Sequence, residues 1–331
     1  MHKPIIAITM GDPAGIGSEV CVKALANPEI RQIARCLIVG DRKSVREALK
    51  IAKLPNTEIN SIHKISEAKF QPGIIDVFDL DNVEINRLKM GQISSAAGKA
   101  AVEYVETAIK LAMDRKVDAM VTGPINKEAI HLAGYKFQGH TELLAARTGA
   151  KNYAMLFVSD TFWVMLATTH VALRDVSKNL DRKKILNLIK LGHATLQKVK
   201  GRKPKIGVTG LNPHAGEAGL FGDEEIKIIQ PAVDEAKKIG INVKGPISPD
   251  AIFYLANSGM FDMVIAMYHD QGLIPLKLLS FNKSVNVTVG LPIVRTSVDH
   301  GTGFDIAGKG WANPQSMIEA VKVAVHFSKS K

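Results

Sequence analysis

Ten histidines stand in this sequence. Five of them, His140, His170, His214, His269 and His300, sit where an apolar run or a glycine-rich turn gives way to polar residues. The sharpest case is MVIAMYHDQGLIPLK at 263–277, where apolar residues from Met263 to Met267 stop at His269, Asp270 and Gln271. Such a run reads as a strand buried on both faces, and open α/β sheets bind ligands beyond the carboxyl ends of their strands. Imidazole and carboxylate side by side can hold a divalent metal, tune each other's protonation or simply pair. A hydrogen-bonded loop histidine accounts for any one of the five, whereas the five together point to a shared site. None has the close spacing of a zinc finger or a zinc-protease helix, so a metal site would be assembled from ligands distant in sequence. A three-histidine site leaves positions open for water or substrate, as catalytic metals require. Lys277, Asn286, Arg295 and Thr296 follow the His–Asp pair, and Lys and Arg suit a phosphate or carboxylate. The other histidines have plain settings: His2, His63 and His326 lie near termini or among polar residues, and His131 and His193 lie inside helical patterns.

Positioning these groups needs strands whose ends meet. Residues 4–10 predict a parallel strand, and GDPAGIG at 11–17 a turn into a helix from about Ser18, which Ser18 can cap and Glu19 favours. Glycines between strand and helix allow close approach to a phosphate, although the spacing is not the dinucleotide-binding fingerprint. Further strands are predicted at 36–40, 59–62, 74–80 and 117–122, with helices near 44–52 and from about 94 to 115. In the long helix Ala97, Ala101, Val105, Ala108 and Ala112 make one apolar stripe. This alternation implies a parallel α/β sheet. GHTE at 139–142 opens another helix. Runs at 153–158 and 162–168 then flank Ser159, Asp160 and Thr161 as a hairpin, giving a second subdomain antiparallel character. A helix over 181–199, a strand over 205–211, the glycine-rich loop NPHAGEAGLFGDEE and a helix over 223–238 follow. A GPISPD turn into a helix, the strand at 263–267, a last strand at 285–289 and a closing helix over 314–327 complete the pattern.

Composition narrows the class. A chain of 331 residues exceeds one ordinary core, so two domains or lobes are expected. Apolar content of 46% with 23% charged residues is that of a soluble globular protein, and no run approaches the roughly 20 apolar residues that span a bilayer. Asp12 and Pro13 interrupt the first apolar segment, and no small-residue cleavage site follows, which suggests a first strand rather than a signal peptide. Two cysteines, Cys21 and Cys36, imply no disulfide framework and suit a reducing cytoplasm. The net charge of +11 raises nucleic acid as a partner. Its densest cluster, KVKGRKPK at 198–205, carries no interleaved aromatic residues, so small phosphorylated anions and dinucleotides are the better expectation.

The motifs ITMGDPAGIGSE, TGPINKE, GHTE, ATTHVALRD, GLNPHAGEAGLFGDEE, AMYHDQG and VNVTVGLPIVRTSVDHGT, in this order, closely resemble the 4-hydroxythreonine-4-phosphate dehydrogenase family. They span Ile8 to about Ala307. The resemblance implies an α/β fold like the isocitrate and isopropylmalate dehydrogenases, with two α/β subdomains flanking a cleft. Residues 1–135 plus 290–331 would form the first; residues 136–289 would form the second, with the metal ligands and the interface of an obligate homodimer. It also implies NAD or NADP bound without a Rossmann fingerprint, and one divalent metal (zinc, magnesium or cobalt) at the subunit interface. Carried over residue by residue, the metal ligands match His170, His214 and His269. Asp250 and Asp270 match acidic residues close to the metal and are the candidate catalytic carboxylates. Substrate contacts match His140, Thr141, Lys277, Asn286 and Arg295. The family often has Pro where this chain has Ser18. THVALRD, YAMLF, LFGDEEI and the PLKLL after AMYHDQG are closer to relatives that act on 4-phospho-D-threonate or 4-phospho-D-erythronate.

The reaction so implied is oxidation at C3 of a 4-phosphorylated four-carbon hydroxy acid, followed by loss of carbon dioxide. 4-Hydroxythreonine-4-phosphate would give 3-amino-2-oxopropyl phosphate, a precursor in pyridoxal phosphate (pyridoxine) biosynthesis. The threonate or erythronate analogue would give dihydroxyacetone phosphate. Two other classes compete: a metal-dependent phosphohydrolase, and a non-catalytic phosphate- or nucleic-acid-binding protein. The dehydrogenase alone accounts for all the motifs jointly. A cytoplasmic homodimer with no nucleic-acid or membrane partner is expected.

Overall fold

The computed structural model describes residues 3–280 and 283–329, so His2 lies outside the described residues. The chain forms two compact units, one comprising the residues up to Lys151 together with Leu291–Lys329, the other Asn152–Gly290. The sequence puts the first boundary at 135/136. The helix His140–Thr148 instead packs on the long helix Ser95–Met113 of the first unit, which moves the boundary to 151/152.

Strands are numbered in chain order. The first unit holds β1 (Ile5–Thr9), β2 (Arg35–Gly40), β3 (Glu58–Ile62), β4 (Ile74–Asp79) and β5 (Ala119–Thr122). The second holds β6 (Ala154–Val158), β7 (Trp163–Leu166), β8 (Ile206–Thr209), β9 (Val243–Ile247), β10 (Met263–Ala266) and β11 (Val285–Val289). After the chain returns, β12 (Arg295–Ser297) completes the first unit.

In the first unit the order is β3-β4-β2-β1-β5-β12, with every neighbouring pair parallel. β1, β2 and β5 are apolar because helices cover the sheet: Ile6, Ile8, Leu37, Ile38, Met120 and Val121 are all buried. The long helix turns its alanine stripe inward, and Ser94 caps it by accepting from the Ala97 N–H at 3.2 Å. Ser18 does not cap the first helix. That helix runs Gly17–Ala26 with no side-chain cap, and Ser18 lies buried inside its first turn.

The second unit has the order β11-β6-β7-β10-β8-β9. β6 is antiparallel to both of its neighbours, β11 and β7, the β6–β7 pair being the hairpin that the spacing predicts, whereas β7, β10, β8 and β9 run parallel. A cluster of Phe157, Phe162, Val164, Ile252, Phe261, Val264 and Leu276 fills its core. The basic cluster at 198–205 is partly committed to structure, since Lys200 and Arg202 both pair with Asp262.

Four elements depart from the sequence pattern. β9 lies where Gly245 and Pro246 suggest only a turn, and β12 follows what reads as the last strand. The helix expected over 223–238 opens as a π-helical turn at Glu225–Ile229 before continuing as Gln230–Lys238. A helix, His269–Ser280, starts at the histidine itself and carries Pro275 inside it, so Lys277 stands on a helix rather than in a loop.

Candidate active site

Parallel pairing places the carboxyl ends of β7, β10, β8 and β9 on one edge of the second unit. The segments leaving those four ends carry, in that spatial order, His170, His269 with Asp270, His214, and Asp250. Four stretches far apart in sequence thus deliver imidazoles and carboxylates to one rim, the usual location for a site in an open α/β sheet.

His170 and His269 are neighbours, with ring centroids 6.0 Å apart. His269 Nδ1 lies 2.7 Å from Asp270 Oδ1. A proton held on Nδ1 by that carboxylate leaves Nε2 with its lone pair outward, the arrangement by which carboxylates orient ligating imidazoles. His214 stands nearer the other end of the row. Near it lies Asp250, whose carboxyl is held below the usual range, chiefly by the Ser248 hydroxyl. Asp250 is therefore a weak proton acceptor.

The backbone delivering His214 is unusual. His214, Ala215, Gly216, Glu217 and Ala218 all take left-handed φ/ψ values. For each residue other than glycine that conformation costs roughly 1–2 kcal/mol, so the surroundings must enforce it. Gln271 ties the neighbouring strand ends together. Its Oε1 accepts from the Met267 N–H at 2.7 Å and the Thr209 hydroxyl at 2.8 Å, and its Nε2 donates to the Gly210 carbonyl at 2.9 Å.

Metal fit can be judged from these donors. Three imidazoles at adjacent strand ends are the right ligand chemistry, and two of them are already neighbours. Among the described residues, however, no group of three or more His, Cys, Asp or Glu side chains is close enough to hold a metal ion. One chain supplies the donors without closing the shell.

The predicted substrate contacts fall in both units. In the first, Arg295 on β12 is 2% exposed and donates from Nη2 to the Thr122 hydroxyl at the end of β5, 2.7 Å away. Burial pulls its guanidinium down to about 9, and Glu142 opposes that shift. His140 opens the helix that also carries Thr141 and Glu142; burial, then the Arg295 charge, hold its imidazole well below the ordinary range, and its Nε2 is buried without a hydrogen-bond partner. A neutral imidazole beside a buried cation suits hydroxyl and anion recognition. In the second unit, Asn286 on β11 has a buried Oδ1 without a partner, and Lys277 is half-buried on the helix begun by His269. His300, one of the five histidines singled out, belongs to the first unit, where its Nδ1 meets the Gly301 carbonyl at 2.9 Å. The glycines of the first turn serve packing: a Cβ on Gly15 would come 2.7 Å from the Thr302 carbonyl oxygen, and one on Gly17 would collide with that of Met10.

Residues 32–324 match the family described as "Pyridoxal phosphate biosynthetic protein PdxA". The chain belongs to the PdxA family. It is 46% identical over 324 residues to the D-threonate 4-phosphate dehydrogenase of Pectobacterium atrosepticum, covering 98% of this chain and 99% of that one. With the enzyme of the same name from Cupriavidus necator it shares 47% over 323 residues, 97% and 96% of the two chains. Among solved structures, the 4-hydroxythreonine-4-phosphate dehydrogenase of Klebsiella pneumoniae superposes with a TM-score of 0.92 at 43% identity, covering 98% of each chain. This PdxA-family chain is an oxidoreductase of the dehydrogenase class, with the α/β fold of that structure. Among its described residues no helix is long and apolar enough to cross a membrane.

Sequence patterns missed Thr122, Glu142 and Gln271. Each lies at an expected strand end or motif, but its partner is distant in the chain: Arg295 for the first two, Gly210 for the third.

Proposed function

We propose that this PdxA-family chain is a D-threonate 4-phosphate dehydrogenase. It oxidises the C3 hydroxyl of that acid, and the resulting 3-keto acid loses carbon dioxide to give dihydroxyacetone phosphate. The carrying observation is the near-complete alignment, at 46% and 47% identity, with two dehydrogenases bearing that name. The same reaction on 4-hydroxythreonine 4-phosphate, serving pyridoxal phosphate biosynthesis, is the second reading, favoured by the family description and the name of the Klebsiella structure.

His170, His214 and His269 would hold a divalent metal (zinc, magnesium or cobalt), and NAD or NADP would accept the hydride. When bound, these groups supply Lewis acidity at the reacting alcohol and a hydride acceptor. The chain's own residues do the rest. Asp270 orients His269, and the ionised Asp250 adds negative charge beside the metal-binding row. Arg295 and Lys277 attract the substrate's anionic groups. His140, Thr141 and Asn286 offer hydrogen bonds to its hydroxyls and oxygens.

A homodimer is part of this proposal. Each imidazole-bearing segment continues into exposed apolar residues: Leu173 after His170, Leu220 and Phe221 after His214, and Ile274 and Leu278 after His269. A second copy covering them would bury apolar surface and dry the imidazole row. Free Cys21 and Cys36 suit a cytoplasmic setting.

The test is a substrate panel of D-threonate 4-phosphate, D-erythronate 4-phosphate and 4-hydroxythreonine 4-phosphate, each with NAD and NADP, before and after chelation. The expected result is nicotinamide reduction fastest with D-threonate 4-phosphate and lost on chelation. A higher kcat/KM for 4-hydroxythreonine 4-phosphate would select the second reading, and no nicotinamide reduction with any substrate would reject both.

A further inference from the structure

Glu225 is 3% exposed and takes no part in the chemistry described above. Its Oε1 accepts from the backbone N–H groups of Leu211 at 2.7 Å and Asn212 at 2.8 Å, and its Oε2 accepts from Asn212 Nδ2 at 3.0 Å. All three donors lie on the turn that leaves β8 and reaches His214 two residues later. Glycines leave room on either side of the carboxylate. A Cβ on Gly210 would come within 2.9 Å of Oε1, and one on Gly216 within 2.8 Å of Oε2. Glu224 reinforces the turn, its Oε2 accepting from Asn212 Nδ2 at 2.7 Å and its Oε1 from the Ser177 hydroxyl at 2.6 Å.

The local helix is deformed where this carboxylate enters it, because Glu225 is the first residue of the π-helical turn Glu225–Ile229. Such turns recur at functional sites. Hydrogen bonds to an ionised acceptor are about twice as strong as neutral ones, and three converge here on one inaccessible carboxylate. Immediately beyond them the backbone enters its left-handed run at His214. A conformation that unfavourable persists only where its surroundings over-determine it.

We propose that Glu225 is a positioning residue: its buried carboxylate fixes the backbone of the 210–216 loop, and through it the place where His214 presents its imidazole. This rests on the reading that His214 belongs to the metal-binding row.

The test compares Glu225→Ala, Glu225→Gln and His214→Ala in the full chain. Amide hydrogen exchange, Co²⁺ affinity of the metal-stripped protein followed by visible absorption, and separate kcat and KM values are measured. In Glu225→Ala the amides at 210–218 lose protection and Co²⁺ affinity falls about 10–100-fold, the range typical when a group orienting a metal ligand is removed. Exchange along His269–Ser280 stays unchanged. Glu225→Gln keeps the acceptor for both backbone N–H groups but sets its NH₂ against that of Asn212, so it falls between wild type and Ala. Wild-type exchange at 210–218 in Glu225→Ala overturns the proposal, as does loosening spread evenly over the whole chain. Should Glu225→Ala not fold, Glu225→Gln decides: loosening confined to 210–218 supports the proposal, and unchanged exchange there overturns it. His214→Ala separates the two ideas. Undiminished Co²⁺ affinity and activity in that variant would remove His214 from the metal row, while exchange in Glu225→Ala still shows whether the carboxylate holds the loop.

Discussion

At the scale of single residues, Arg295 is a cation buried in the first unit. A guanidinium that is 2% exposed has given up most of its hydration, and it donates to the Thr122 hydroxyl while the charge of Glu142 opposes the effect of burial. As the proposed contact for the substrate's anionic groups, it is open to a direct test. In Arg295→Met, kcat/KM is expected to fall by about 100-fold or more, corresponding to about 2.7 kcal/mol, while circular dichroism shows the fold retained. Unchanged kcat/KM would remove Arg295 from the substrate contacts. Asp12 supplies a test in pH. It is 1% exposed with an unpartnered Oδ2, and burial pushes its carboxyl from 3.8 up to about 6, against the opposing hydrogen bond from the Ala14 N–H. Between those values the folded state holds more protons than the unfolded state, so stability falls as pH rises through the window from about 4 to 6. Asp12→Asn escapes that loss. In urea titrations its stability relative to wild type should improve by about 2–3 kcal/mol between pH 4 and pH 7, and a difference independent of pH would contradict the assignment.

At the scale of elements, strand ends decide the site, and Gln271 holds two of them together. Gln271→Leu would leave the Met267 N–H, the Thr209 hydroxyl and the Gly210 carbonyl short of a buried partner. The expected cost is about 2–4 kcal/mol, seen as a lowered melting temperature together with reduced activity; a melting temperature within a degree of wild type would show that water replaces the amide. Much of this layout is legible in the sequence. Continuous apolar runs give β1, β2, β5, β7, β8 and β10, and the alanine period gives the long helix, because burial on both faces or along one stripe leaves a periodic trace. β9 is not legible, since Gly245 and Pro246 are turn residues by local preference and become a strand only through pairing with β8. The helix begun by His269 is hidden by Pro275, and the three residues of β12 carry no period of their own. The same distinction governs the site. His269 shows itself because an apolar run ends beside it, whereas Glu225 and Gln271 act through backbone groups that sequence adjacency does not reveal.

At the scale of the whole molecule, the second unit exposes large apolar side chains on the segments that carry its imidazoles. Leu278 is 84% exposed, Leu220 72%, Leu173 71% and Ile274 64%, and all four belong to the segments that carry His170, His214 and His269. In the proposed homodimer, their coincidence with the imidazole row would link assembly to chemistry. A partner that covers these side chains also removes water from the imidazoles and strengthens every charge interaction there. A charge placed in that patch should therefore break the dimer first and the activity as its consequence. Leu278→Glu is expected to sediment as a monomer in analytical ultracentrifugation while its melting temperature shows an intact fold. Its kcat/KM should be at least tenfold below wild type at low protein concentration and recover in part as concentration rises. A dimer that survives Leu278→Glu, or a monomer with full activity, would place the interface elsewhere or make it dispensable to catalysis.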